Sequence, residues 1–411
     1  MRIAVVEFAG KGGMIHYAYQ LCDALSKAGA EVTLLTDRHY ELAHLPHRFE
    51  ADAMLRLWDP KPDGSTRQSP MRRGVRRARR AARALRYYRE WVRLIARLRR
   101  ERPDVVQFGD IRFATDVLPL AALKASGLRL ADVCHNVRPF SSRRSAPILR
   151  SSALGALLYA RLYSRFDLVF AHFDRNRRAL QQAFGLDDKR VATIVHGNES
   201  VFERLRDPGA TPARLRSAIG LEPDRPVLLL FGTLSRYKGV DVMLEAMPRV
   251  LAAHPRACLV LAGFPAADFD VEACRSLAAD LGVSDSLRVV PRYIASSEVA
   301  AWMELAAVAV FPYHTVFQSG ALQVALTFGV PIVATRVGAA EDVVRDGENG
   351  LLVPPGDRAA LAQAITELLS DAPLAARLGR AAAADARGRF AWDSVARTML
   401  EAYRRLPGVA S

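Results

Sequence analysis

The chain has 411 residues, half of them apolar, and carries a formal charge of +15. That length and apolar content allow more than one buried core and two or three domains, while no run approaches the roughly eighteen consecutive apolar residues of a membrane-spanning helix. Four scattered cysteines (Cys22, Cys134, Cys258, Cys274) form no CxxC pair and have no histidine at ligand spacing; they argue against a structural zinc site or a disulfide framework and fit a reducing cytoplasm.

The opening MRIAVVEFAGKGG lacks the charged flank, apolar core and cleavage site expected of a signal peptide. Its Ile3–Glu7 run reads as a first buried strand. Further strands are expected at Glu31–Leu35, Asp104–Phe108, Leu130–Cys134, Leu168–Ala171 and Val191–Val195. A second series follows at Val227–Phe231, Cys258–Ala262, Leu287–Val290, Ala307–Phe311, Ile332–Ala334 and Gly350–Val353. Helical patterns fall between most of them, and Ala-rich helices are expected at about 357–370 and 373–388, with a last one at about 392–405. Alternating strands and helices imply an α/β architecture with parallel sheets. A Pro-, Gly- and charge-rich break at 205–225 separates two doubly wound domains of similar size. In such folds ligands bind beyond the carboxyl ends of the strands. That directs attention to Phe8–His16, Cys134–Arg138, His196–Asn198, Gly232–Gly239, Tyr313–Gly320 and Gly338–Asp342.

The charge is concentrated. Residues 67–102 hold fifteen arginines against Glu90 and Glu101, a local net of +13. Within 72–102 an apolar stripe runs through Val75, Ala78, Ala82, Leu85, Tyr88, Val92 and Ile95 at helical spacing. Three readings stand: a helix packed on the first domain with a solvated basic face, a helix adsorbed to an anionic bilayer, or a nucleic-acid-binding helix. Because the helix runs straight into a strand, the apolar stripe is expected to pack on the fold, with the arginines outward.

Two segments carry candidate chemistry. In FGTLSRYKGVD a strand ends at Phe231, Gly232 permits a turn, and Arg236 and Lys238 precede a helix starting near Gly239. Cations beside a helix N-terminus suit a phosphate or diphosphate; the alternative is two cations facing water. In QSGALQVALTFGVPIVAT, Ser319 and Gly320 are placed as N-cap and first turn of a helix. They fit a phosphate or sugar hydroxyl, or an ordinary cap. Asp268-Phe269-Asp270 has the spacing of a metal-binding acid pair but sits at a helix start, where capping is expected. Gly12, Gly13 and His16 form a glycine-rich loop that is not the dinucleotide fingerprint.

Taken together, Gly232…Tyr237-Lys238-Gly239, Pro312-Tyr313…Ser319-Gly320-Ala321-Leu322…Gly329-Val330-Pro331, Val337-Gly338…Asp342-Val343-Val344 and Asp346–Asp357 resemble the donor half of a retaining glycosyltransferase of family 4 (glycosyl transferases group 1). Gly12-Gly13, His16-Tyr17, Cys134-His135-Asn136 and Val195-His196-Gly197-Asn198 resemble that family's landmarks in the first half. The resemblance implies the GT-B fold, two Rossmann-like domains facing a central cleft. It implies an acceptor domain over 1–205, a nucleotide-sugar domain over 206–390 and a C-terminal segment, 391–411, packing back on the first. It implies catalytic roles for His135, Arg236 and Lys238. It places Gly232, Thr233, Tyr293, Ser319, Gly320, Ala321, Leu322 and Asp342 around the donor, and Gly12, Gly13, His16, His196 and Asn198 at the acceptor or cleft.

The chain departs from the family where two glutamates usually stand: those positions hold Val316 and Val324, and the usual arginine after the glycine is Thr233. The expected substitute is Ser319 with backbone amides, and Arg236 for the missing charge. The resemblance thus implies front-face transfer from a UDP- or GDP-linked sugar, with no separate cofactor and no metal. The acceptor would be lipid-linked or a polysaccharide, as in cell-surface glycan synthesis. The basic helix would attach the enzyme to the inner face of the cytoplasmic membrane, without nucleic acid as partner. A non-catalytic scaffold and a nucleotide-sugar epimerase are the alternatives.

Overall fold

The computed structural model describes residues 1–57, 73–109, 111, 113–135 and 153–409, without the side chains of 73–80, 153–154 and 156. The expected residues 136–138 lie outside it. The described chain forms two compact units, one running to Val195 and resuming at Trp392, the other holding His196–Ala391.

The first unit contains strands β1 (Arg2–Glu7), β2 (Glu31–Asp37), β3 (Glu50–Leu55), β4 (Val105–Phe108), β5 (Leu130–Cys134), β6 (Leu168–His172) and β7 (Val191–Ile194). They pair in parallel in the order β3-β2-β1-β4-β5-β6-β7. Strands β4 and β5 are buried along their whole length, as expected where helices cover both faces of a parallel sheet. β3 was not expected from the sequence. It is an edge strand whose residues are mostly half-exposed, so it carries no apolar run.

The second unit contains β8 (Val227–Phe231), β9 (Cys258–Ala262), β10 (Leu287–Val290), β11 (Val308–Phe311), β12 (Ile332–Thr335) and β13 (Leu351–Val353). Their order is β10-β9-β8-β11-β12-β13, again parallel. Each sheet reverses its direction of winding once, between β1 and β4 and between β8 and β11. Those switch points are where an open α/β sheet leaves a crevice beyond its strand ends.

The units part earlier than the 205/206 boundary expected from composition. The segment after Val195 is bonded into the second unit: Asn198 N–H donates to the Phe390 carbonyl at 2.8 Å, and Glu199 N–H to Thr327 Oγ1 at 3.0 Å. The last helix, Trp392–Arg404, packs on the Gly13–Lys27 helix of the first unit. Its Tyr403 hydroxyl donates to buried Gln107 Oε1 at 2.6 Å.

The basic segment forms one helix, Arg73–Glu101. Its packing face differs from the expected one. Tyr87, Glu90, Trp91, Leu94 and Leu98 are buried, with Trp91 against Phe8 and Phe108. Leu85 and Val92, which the expected stripe placed inward, are 75% and 66% exposed. The larger aromatic rings sit on the other side and occupy the core.

Candidate functional site

In the second unit the two candidate loops meet at the β8/β11 switch point. Gly232 follows β8 with φ 90°. A Cβ there would lie 3.0 Å from Lys238 Nζ and 3.5 Å from Ala321 Cβ. This position therefore joins the cation of one loop to the helix start of the other. The Arg236–Lys238 turn is held by Gly239, whose φ of 66° caps the Val240–Ala253 helix. Gly239 also packs on the Pro312 carbonyl, which a Cβ would approach to 1.9 Å. His314 N–H donates to the Tyr237 carbonyl at 2.8 Å, and the Tyr237 and Tyr313 rings meet edge-on at 5.8 Å.

Lys238 does not face water, the alternative that the sequence left open. It is 3% exposed and donates to the Phe231 carbonyl at 2.7 Å. Desolvation by burial lowers its pKa to about 7. Arg236 and Thr233, by contrast, are exposed.

Ser319 caps the Gly320–Thr327 helix, its Oγ accepting from Leu322 N–H at 3.2 Å. The Tyr313 hydroxyl lies 3.0 Å from the same Oγ. An α-helix leaves its first amides without intrahelical acceptors, and this helix start lies beside the other loop, with Ala321 Cβ 3.5 Å from the position of a Gly232 Cβ. Leu322 is buried behind them, and Val316 and Val324 are each 3% exposed. The two positions that lack glutamate are thus apolar and packed. Gly338 explains part of that packing, since a Cβ on it would lie 1.7 Å from the Val316 carbonyl. Asp342 is half-buried on the short Ala339–Val343 helix, and Arg389 donates to its backbone carbonyl. Asp270 caps the Val271–Asp280 helix, as expected from the sequence, while Asp268 accepts from the Ser235 hydroxyl at 2.7 Å. Tyr293 is 45% exposed beyond β10.

Two residues here escaped the sequence reading. Glu199 is buried, with Oε1 3.6 Å from the position of a Gly320 Cβ, so a carboxylate does border the loop. Gln323 is 1% exposed, and among the described residues neither of its amide atoms has a hydrogen-bond partner. Glu199 directly follows the His196–Asn198 segment, and Gln323 lies within the helix that Ser319 opens, related to Ser319 only by helical spacing.

In the first unit, Gly12 (φ 86°) opens the Gly13–Lys27 helix beyond β1. Glu41 binds both ends of this turn, accepting from Gly12 N–H at 2.7 Å and lying 2.7 Å from His16 Nε2. Burial by itself would raise the Glu41 carboxyl, but the bonds to His16 and Gly12 outweigh it and hold the pKa below its ordinary value. His135 follows β5 and is buried, its Nδ1 3.2 Å from His172 Nε2 and its ring edge-on to Tyr17 at 4.7 Å. Glu41 and His172 had no signal in the sequence beyond their residue type.

His196 and Asn198 belong with the second unit, not with the acceptor domain in which the sequence reading placed them. His196 lies 2.8 Å from the Gly197 carbonyl, and burial lowers its pKa to about 4. Asn198 Nδ2 donates to the Ala386 carbonyl at 2.8 Å. The Asn198 side chain anchors the start of this unit.

Two parallel six- and seven-stranded sheets with glycine-bearing loops at their switch points define a GT-B-type glycosyltransferase fold. Solved structures bear this out. The Anabaena Alr3699/HepE structure in complex with UDP-glucose has a TM-score of 0.70 at 18% identity, covering 99% of this chain and 100% of that one. Sucrose-phosphate synthase from Thermosynechococcus elongatus has a TM-score of 0.68 at 21% identity, covering both chains fully. The family model Glycosyltransferase Family 4 matches residues 11–198, and the model Glycosyl transferases group 1 matches residues 225–371. The chain thus carries a Glycosyltransferase Family 4 domain followed by a Glycosyl transferases group 1 domain. D-inositol 3-phosphate glycosyltransferase from Acidothermus cellulolyticus is 37% identical over 234 residues, 55% of this chain and 50% of that protein. The enzyme of the same name from Streptomyces bingchenggensis is 34% identical over 244 residues, 58% of this chain and 52% of that protein. The matched part spans about half the length of these curated relatives.

Proposed function

We propose that this protein transfers a sugar, with retention of configuration, from a UDP- or GDP-linked donor to a lipid-linked or polysaccharide acceptor in cell-surface glycan synthesis. The observation that carries this reading is the approach of Lys238 and the Gly320–Thr327 helix start to Gly232. A diphosphate seated there meets an ammonium, free helix amides and the positive end of a helix dipole. As the glycosidic bond breaks, charge builds on the leaving diphosphate. Lys238, with exposed Arg236 reaching in from the same turn, would stabilise that charge. The proton on Lys238 matters here, because an incoming anion replaces the lost hydration and favours the charged form. This assigns charge neutralisation to the protein rather than to a metal. Front-face attack needs no enzyme nucleophile, which agrees with valine at positions 316 and 324. His135, buried beside His172, is assigned to the sugar hydroxyls. Gly12, Gly13 and His16, fixed by Glu41, are assigned to the acceptor side.

The UDP-glucose complex of the Anabaena neighbour supports a nucleotide-sugar donor. The matched relatives are named for D-inositol 3-phosphate, so that compound belongs in any acceptor panel. The fifteen arginines of residues 67–102 support peripheral attachment to the inner face of the cytoplasmic membrane. None of the helices among the described residues is long and apolar enough to cross a membrane.

The test is thermal shift with nucleoside diphosphates and their sugars, wild type beside Lys238→Ala. A ligand-dependent rise lost in the variant identifies the donor base. Transfer is then followed with that donor, and the anomeric configuration of the product is read by NMR. No shift with any nucleotide, from folded protein, would leave the scaffold reading in its place. Rearranged donor without transfer would establish the epimerase.

A further inference from the structure

The Arg73–Glu101 helix has two apolar faces, and only one is used by the fold. Tyr87, Trp91, Leu94 and Leu98 fill the inner face. Leu85 and Val92 lie two turns apart on the opposite side, 75% and 66% exposed. Seven residues advance a helix by nearly two full turns, so both side chains point the same way. Ala81 and Ala96 are exposed along the same line. Arginines border it: Arg86, Arg89, Arg99 and Arg100 are exposed and Arg93 is half-exposed. The acids of this helix lie on its inner side and chiefly engage Arg93 and Arg97. Glu90 is fully buried and bound by Arg93 at 2.7 Å, and Glu101 is paired with Arg97 at 2.7 Å.

A helix that merely covered a core would be polar on its outer face. Here the centre of that face is aliphatic and its borders are cationic. That is the arrangement of a helix lying in a bilayer interface: the aliphatic side chains enter the acyl boundary, and the arginines extend sideways to lipid phosphates. Nucleic acid matches it less well, because the line offers no exposed aromatic ring for stacking and no use for its leucine and valine.

We propose that Leu85 and Val92 form a wedge that inserts into an anionic membrane, with Arg86, Arg89 and Arg100 holding the lipid headgroups. This rests on the peripheral-attachment reading and specifies how attachment is made. It requires hydrophobic insertion as well as charge.

The experiment is flotation of the full-length protein with vesicles of phosphatidylcholine, with and without phosphatidylglycerol. Wild type is compared with L85D/V92D and with R86Q/R89Q/R100Q. The described cysteines are all buried, so Val92→Cys also accepts an environment-sensitive dye selectively. Wild type is expected to float with anionic vesicles only, and L85D/V92D to lose at least about tenfold in partitioning. The dye at position 92 should shift to the blue on binding. Unchanged binding by L85D/V92D together with loss in the arginine variant would overturn the wedge and leave simple electrostatic attachment standing. Failure of folded wild type to bind any vesicle would overturn attachment and wedge together. A self-associated wild type dispersed by L85D/V92D, without vesicle binding, would assign the face to a second copy instead. Both substituted positions are solvent-exposed, and matching melting temperatures would confirm that the variants are folded.

Discussion

The Lys238 ammonium is buried beneath the strand end that carries Gly232, 2.7 Å from the Phe231 carbonyl. This contact fixes the cation at the β8/β11 switch point, and its burial makes the charge sensitive to pH. Burial holds its pKa at about 7, against an ordinary 10.5. Between those values the unfolded chain binds the proton more readily than the folded one, so this group makes unliganded stability rise with pH. Diphosphate binding has the opposite trend, because it requires the proton. From about pH 6.5 to about 8.5, the wild-type melting temperature should gain on that of Lys238→Met while nucleoside diphosphate affinity falls. Superimposed profiles for the two proteins would show that Lys238 keeps its charge.

Gly320 separates structural need from ligand need. Its backbone is not in the left-handed region, and an added Cβ would meet only Glu199 Oε1, at 3.6 Å. Gly320→Ala should therefore fold normally, with a melting temperature equal to wild type or slightly raised, since alanine favours a helix by up to about 1 kcal/mol. Its methyl would crowd the approach to the helix amides. Calorimetry should find nucleotide binding weakened by about tenfold or more, roughly 1.4 kcal/mol. Undiminished binding would move the donor away from this turn.

Gln323 is a buried carboxamide without hydrogen bonds to described residues. Such a group costs about 1–3 kcal/mol relative to one that is satisfied. Gln323→Leu, of similar shape, should raise the melting temperature of the unliganded protein. A fall would show that an ordered water satisfies the amide in solution.

Glu41 is the acceptor that joins Gly12 to His16. Glu41→Gln retains an oxygen for the Gly12 amide but removes the charge facing His16. A loss of about 1–3 kcal/mol is expected in denaturant unfolding, together with a raised acceptor KM and little change in donor affinity. A change confined to donor affinity would place this turn at the donor instead.

Much of the fold was legible because parallel strands buried on both faces are continuous apolar runs, as in Val227–Phe231 and Cys258–Ala262. The edge strand Glu50–Leu55 was not, because half-exposed positions carry no such run. Periodicity found the Arg73–Glu101 helix but chose the wrong inner face. Both of its faces are apolar, and only packing against Phe8 and Phe108 decides between them. The Ser319 cap was legible from local chemistry, since an N-cap bonds within its own turn.

By itself the sequence determined two α/β domains, the glycine turns at their strand ends and the family that those turns share. Tertiary structure alone decided that Lys238 is buried, that Glu199 borders Gly320 and that Glu41 holds His16. Each of those relationships joins residues whose distance is set by sheet order and packing, and no local pattern in a chain encodes a distance of that kind.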